Sequence, residues 1–414
     1  MRRIIICALI FCGLLAAVAF QQQGELAAGE GKGGSGWAPA VKPKPLGDET
    51  LKGVKWLIAH QHQNGGWGQG EESQNMGGGG ELAGVPNVAD TCIATLALMR
   101  AGSTPSDGPY AKNIARAISF VVSEVDASDP DSLYVTSVRG TRVQSKLGPY
   151  IDTFLSSMVL AEAQGQMPDD ASKKRVSAAL DKVLRKIQKN QRADGTWDDN
   201  GWAPALSQSM ATKGLNRAVQ SGAEVDEETL KRAEKHAVSQ YDSSSGSFKS
   251  EGSAGVSLYA TAATTSAMQD SMNTNAAKEK ELREVASNSK DEKKRDQARN
   301  ELGRIAGTRK AQEESRQTLV RQLDDDSFVK GFGSNGGEEF LSYMNISETL
   351  VVQGGPEWKS WDQGMSQNLS RIQNADGSWS GHHCITGRTF CTAAALLVLT
   401  ADRAPVPVAA RVRD

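Results

Sequence analysis

Aromatic side chains are scarce in this chain, 6% of 414 residues, and several of the tryptophans recur in one repeated turn. A pocket walled by aromatic faces, which holds a developing carbocation through its attraction to π-electrons, is hard to build from so few. Net charge is nearly absent too: 47 Lys and Arg stand against 49 Asp and Glu, and no basic stretch is interleaved with aromatics. No nucleic-acid partner is implied. Glycine-rich residues 331–337 lack the Lys-Ser/Thr of a phosphate loop and read as a rim loop. Of five cysteines, two sit within the first 12 residues.

Those first residues hold the main uncharged apolar run. Arg2 and Arg3 precede residues 4–20, and Ala17-Val18-Ala19 supplies a small-residue cleavage site. This is the layout of a secretory signal peptide over residues 1–20. The expected location is periplasmic or extracellular, or membrane-anchored through the N-terminus if the segment stays uncleaved. Cys12 follows Phe11, where a lipidation site needs a small residue. Residues 21–48, rich in Gln, Gly, Lys and Pro, read as a flexible linker. Export leaves Cys92, Cys384 and Cys391, and an odd count in an oxidising compartment implies one bridge and one buried thiol.

The remainder is organised by a repeat. His62-Gln63-Asn64-Gly65-Gly66-Trp67, Gln191-Arg192-Ala193-Asp194-Gly195-Thr196-Trp197 and Gln373-Asn374-Ala375-Asp376-Gly377-Ser378-Trp379 each follow an amphipathic helical stretch. Glycine supplies the positive φ that ends such a helix, and Asp or Asn before it favours a tight turn. After each turn comes a second helix, poor in charge and rich in Ala, Ser, Thr and Met. The starts at Asp90-Thr91, Asp152-Thr153, Glu338-Glu339 and Arg388-Thr389 align, and weaker copies begin near Ala205 and Val256. A charged-faced helix alternating with a nearly uncharged one implies an outer ring around an inner ring.

Gln, a short gap, then Asp-Gly-x-Trp after a basic-apolar helix resembles the repeat of the terpenoid cyclase and protein prenyltransferase superfamily, the glutamine-tryptophan motif of squalene and hopene cyclases. The resemblance implies an all-α fold, an α/α toroid of about six helix-hairpin repeats over residues 49–402 with a C-terminal tail at 403–414. It also implies a central cavity. Residues 275–320, dominated by Lys, Arg, Glu, Asp and Gln, read as a charged helical insertion between the fourth and fifth repeats, either a solvated projection or an arm that docks a partner.

The chemistry of that superfamily does not map onto the chain. A cyclase initiates with Asp-x-Asp-Asp, and Asp324-Asp325-Asp326 is followed by Ser327; it reads as a solvated linker. Prenyltransferases hold zinc through Asp, Cys and His, and the cluster His382-His383-Cys384 with Cys391 matches no such spacing. A Cys384–Cys391 disulfide is preferred over a metal site there, so no metal is expected. The Gly-Cys-Gly-Glu-Gln of thioester domains, another user of this toroid, is missing.

What remains is a ring of helix starts. Asp90, Asp152, Glu338 and Arg388 should face one rim of the cavity, near Glu339, His382 and His383, and make a candidate ligand site; ordinary helix capping is the competing account. Tyr343 and Glu348 lie further along the fifth inner helix, and a buried Glu348 must be paired or functional. The reading is an exported toroid that binds an unknown small molecule or protein in its cavity or on its rim, with cofactor and catalytic residues undetermined. The alternative is a cyclase or lyase acting through rim carboxylates on a hydrophobic or polymeric substrate. An enzyme should show an enclosed cavity beside a raised carboxyl; a scaffold should have a centre packed by Met and Leu.

Overall fold

The computed structural model describes residues 36–70, 82–198 and 200–411; the expected signal peptide and the first part of the linker lie outside them. The chain runs through α1 (Asp48–Ala59), α2 (Val88–Arg100), α3 (Ala111–Ala127), α4 (Arg142–Leu147), α5 (Ile151–Ala163), α6 (Asp170–Lys189) and α7 (Pro204–Gln220). It continues through α8 (Glu227–Ser239), α9 (Ser257–Asn288), α10 (Glu292–Gln322), α11 (Asp326–Val329), α12 (Gly337–Val351), α13 (Gly355–Ile372) and α14 (Arg388–Leu399). Among the described residues strand is confined to two-residue pairs, β1 (Trp37–Ala38) with β4 (Val406–Pro407) and β2 (Tyr241–Asp242) with β3 (Ser247–Phe248). The protein is all-α, as the repeat implies.

Two kinds of helix alternate. In α6 the buried residues are Val176, Ala179, Leu180, Val183, Leu184, Lys186 and Ile187, a stripe at helical spacing with charge on the opposite face. By contrast α5 and α12 are buried along their whole length. The buried helices contact one another in the order α2, α5, α7, α9, α12, α14 and back to α2, which closes an inner ring of six. Helices α1, α3, α6, α8, α10 and α13 each precede an inner helix and pack against the inner helix before them in the ring, α14, α2, α5, α7, α9 and α12 respectively. This alternation points all six inner helices the same way, so their N-termini share one rim.

The repeated turn is a staple. Trp67, Trp197 and Trp379 are fully buried, and each indole N–H donates to the carbonyl ten residues earlier, Leu57, Ile187 or Leu369. A glutamine six residues before each tryptophan, Gln61, Gln191 or Gln373, donates both to its own turn glycine carbonyl and to the next outer helix, at Asn113, Thr229 or Glu49. The Gln373–Glu49 bond, 2.8 Å, ties the last repeat to the first. The first motif is thus anchored by Gln61, one residue ahead of the His62 start read from sequence. The turn glycine is obligatory twice over: Gly377 has φ +91°, and a Cβ there would lie 2.8 Å from the Lys52 carbonyl oxygen.

Two organisational readings change. Residues 275–320 are not inserted between repeats: α9 is the fourth inner helix running on past the ring, and α10 is the fifth outer helix returning beside it. Their thin seam, with Ala298, Ile305 and Leu319 buried, and their mutual pairing (Arg309 to Glu279) explain the charge-rich sequence. The described part of the linker is also packed rather than free. Trp37 and Ala38 pair with Pro407 and Val406, Lys44 N–H donates to Asp402 Oδ2, and Lys44 Nζ bridges Asp362.

Candidate functional site

The centre of the ring matches neither expectation for it. Arg100 of α2 makes a two-pronged bridge to Glu162 of α5, at 2.6 and 2.7 Å. Lys213 of α7 bridges Asp270 of α9 and Glu348 of α12 at 2.9 and 2.8 Å, and Arg217 stands 3.6 Å from Glu348 and 3.9 Å from Glu162. Five inner helices contribute, and all six side chains are buried. Three cations therefore face three carboxylates. Burial opposes ionisation of Glu348, yet Lys213, Arg217 and Arg100 hold its carboxyl down at about 2. Nearer the N-terminal rim, Asn345 bonds Ser209 and Ser266 across the ring. At the other end Arg217 donates to the Pro405 carbonyl and lies over Trp37, whose indole donates to Gln220. The lumen is plugged by paired charge, and Glu348 belongs to the plug, not to a rim site.

The N-terminal rim has a different character. Asp90 and Asp152 are both buried at their helix starts: Asn87 donates to Asp90 Oδ2, while Asp152 accepts from the Ala89 N–H and from Gln144. Burial pushes the Asp152 carboxyl up to about 6 in spite of those two bonds. Glu338, fully buried, accepts the Ile385 N–H on Oε2 at 3.2 Å, and its Oε1 accepts no hydrogen bond of ordinary geometry. Burial, with the Glu339 carboxylate next in line, pushes Glu338 up to about 8. Glu339 is saturated instead, accepting from Tyr259, from the Phe332 N–H and from the Gly336 N–H. It thereby ties down the glycine-rich rim loop.

His383 and Cys384 complete this corner. The His383 Nε2 lies 2.6 Å from the Ser334 carbonyl and 3.4 Å from Glu339 Oε2, and its Nδ1 is buried with no partner. Cys384 adopts φ +52°, a left-handed conformation that costs a side-chain-bearing residue on the order of 1–2 kcal/mol. Donor atoms of Glu338, His383 and Cys384 all fall within 4.8 Å of one another. Two more buried polar atoms also lack partners, Thr386 Oγ1 on this stretch and Nε2 of Gln69, whose carbonyl accepts the Thr389 N–H. Trp202, Phe332 and His383 form an edge-to-face chain beside it, with Phe332 exposed.

Several expected members stand elsewhere. The Cys384–Cys391 disulfide is not formed: both are free and buried, as is Cys92. Cys391 sits inside α14 with its thiol 3.5 Å from the Ile385 carbonyl, while the left-handed turn at Cys384 brings its thiol to Glu338. Arg388 bonds Asp376 in the last tryptophan turn at 2.7 Å. His382 is exposed, its N–H donating to the Asn335 carbonyl. Tyr343 donates to the Val329 carbonyl and packs on Trp361, beside a groove between α11 and α13. Asp325 caps α11 through Ser327. Sequence reasoning missed the plug and Lys213 altogether; their spacing along the chain carries no pattern.

No protein-family model and no curated protein sequence matches the chain. Among solved structures, a chain described as a novel alpha-amylase from Clostridium perfringens superposes with a TM-score of 0.51 at 10% identity, covering 88% of this chain and 100% of the other. At that identity the likeness concerns the fold.

Proposed function

We propose that this protein is an exported ring of paired helices that binds its ligand on the N-terminal rim of the inner ring, at the corner formed by α12 and the loop before α14, and not in the lumen. The observation that carries the reading is Glu338: a fully buried carboxyl with one oxygen that no N–H or O–H reaches and only the Cys384 thiol beside it, next to a His383 Nδ1 with no partner. A buried polar atom without a partner costs roughly 1–3 kcal/mol, and a fold keeps such groups together where a ligand completes them. Export rests on the arrangement of residues 1–20. Among the described residues no helix is long and apolar enough to cross a membrane. Kinship with the terpenoid cyclase and prenyltransferase superfamily is supported by the three Gln–Trp staples. Cyclase chemistry is disfavoured, because ion pairs occupy the place where an apolar, aromatic-walled cavity would be needed.

The test is Glu338→Gln, compared with the wild type by thermal unfolding in the presence of a chelator. The amide keeps an oxygen for the Ile385 N–H and removes the buried carboxyl, so the midpoint should stay or rise. A fall of more than about 4 °C would make Glu338 a structural cap and end the ligand reading.

A further inference from the structure

Resting on the rim reading, we propose that the ligand of this corner begins with a metal: Glu338, His383 and Cys384 bind one divalent cation of the zinc class and leave its fourth position open. The donor set decides the class. One thiolate, one imidazole and one carboxylate suit a borderline ion such as Zn²⁺, whereas Mg²⁺ and Ca²⁺ take oxygen ligands alone. The charges close as well, since a thiolate and a carboxylate around a neutral imidazole offset a double positive charge in a buried place.

The histidine is prepared for this role. Its Nε2–H is directed at the Ser334 carbonyl, 2.6 Å away, with Glu339 Oε2 at 3.4 Å. That bond fixes the tautomer in which Nδ1 carries the free lone pair, and Nδ1 is the nitrogen without a partner. Glu339 is itself held by Tyr259 and two backbone N–H groups, so the supporting shell is built independently of any ion. A cation would give the Glu338 Oε1 and the His383 Nδ1 the partner each lacks. Three protein ligands with an open fourth position are the arrangement of sites where a water or substrate atom binds the metal; sites that only hold a fold together are filled with four. Phe332 and Trp202, in edge contact at 5.3 Å beside His383, then offer an apolar face to whatever reaches that position.

The experiment uses the full chain, purified reduced and chelator-treated, and titrated with Co²⁺ and then Zn²⁺. One equivalent of Co²⁺ should bind, with visible bands of tetrahedral strength and a near-ultraviolet thiolate charge-transfer band that Zn²⁺ displaces. Cys384→Ser should remove the charge-transfer band, and Glu338→Gln and His383→Ala should each weaken affinity about 10- to 100-fold or more. Cys92→Ser, in the packed interface of α2 and α5, should change nothing. Circular dichroism on every variant separates loss of the site from loss of the fold. Absence of stoichiometric Co²⁺ binding by the folded wild type, or binding that survives all three ligand variants, overturns the metal. If the metal fails while Glu338→Gln still leaves the chelated protein as stable as before, the rim reading stands and only its first ligand atom is wrong. A destabilised Glu338→Gln would remove the rim reading itself.

Discussion

The two levels of the inner ring treat buried charge in opposite ways. In the lumen every carboxylate has a cation: Glu162 has Arg100, and Glu348 and Asp270 share Lys213. At the rim, Asp152 and Glu338 are equally buried, and among the described residues no Lys or Arg forms a salt bridge with either carboxyl. The consequence is visible in their acidities, with Glu348 held at about 2 and Asp152 and Glu338 raised to about 6 and 8. A ring that can compensate buried charge at one level and does not at the next has an architecture that permits function at the second. The lumen is built for permanence, and the rim is left for a partner to complete.

The comparison breaks most easily in the plug. Lys213→Met leaves Asp270 and Glu348 buried without their cation, and the expected loss is about 3–5 kcal/mol in urea unfolding at neutral pH. Removing Arg100 and Glu162 together, as Arg100→Met with Glu162→Met, should cost much less than either alone, because the pair leaves as a unit. A loss under about 1 kcal/mol for Lys213→Met would mean that water reaches the plug and that the two levels are alike.

Acid and base sharpen the contrast, because the signs differ. Folding lowers the pKa of Glu348 from 4.5, so its contribution is complete above that pH and disappears as pH falls toward 2. This amounts to about 3 kcal/mol, and Glu348→Gln should flatten it. Asp152 is raised from 3.8 to about 6, so the fold loses stability as pH rises across that interval, by up to about 3 kcal/mol. Urea midpoints between pH 3.5 and 7 should show that decline in the wild type and a shallower one in Asp152→Asn. Parallel slopes in the two proteins would remove Asp152 from the account.

How much of this the sequence carries follows from where each signal lives. The tryptophan staples are local: Gln, Gly and Trp lie within seven residues and do the same work three times, so the alternating helices could be read from them. The site is not local. Glu338 meets His383 and Cys384 only because neighbouring inner helices bring their N-termini to one rim, and the nearby pair of cysteines pointed instead to a bridge that is not formed, the Cys384 thiol lying by Glu338 and the Cys391 thiol by the Ile385 carbonyl. The plug is less legible still, since each inner helix supplies one or two charges at no fixed spacing and any one alone resembles a misplaced surface residue. The long α9–α10 hairpin misled for a physical reason: where two helices outrun the ring they have no core to bury, and the apolar period that marks a repeat fades although the repeat continues.

The smallest predicted effect tests the rim by addition rather than loss. Thr386 is fully buried just before α14, and its hydroxyl has no hydrogen-bond partner. Valine has nearly the same shape without the hydroxyl, so in the chelated, ligand-free protein Thr386→Val should raise stability by about 1 kcal/mol, read as a higher urea midpoint with unchanged slope. In the lumen, deleting a charged side chain is destabilising, because there each carboxylate has a cation that would be stranded. A loss of stability in Thr386→Val would show that the hydroxyl is already satisfied in the free protein, and the rim would then be as complete as the plug. A gain, accompanied by weaker Co²⁺ binding, would place Thr386 among the groups that the ligand itself engages.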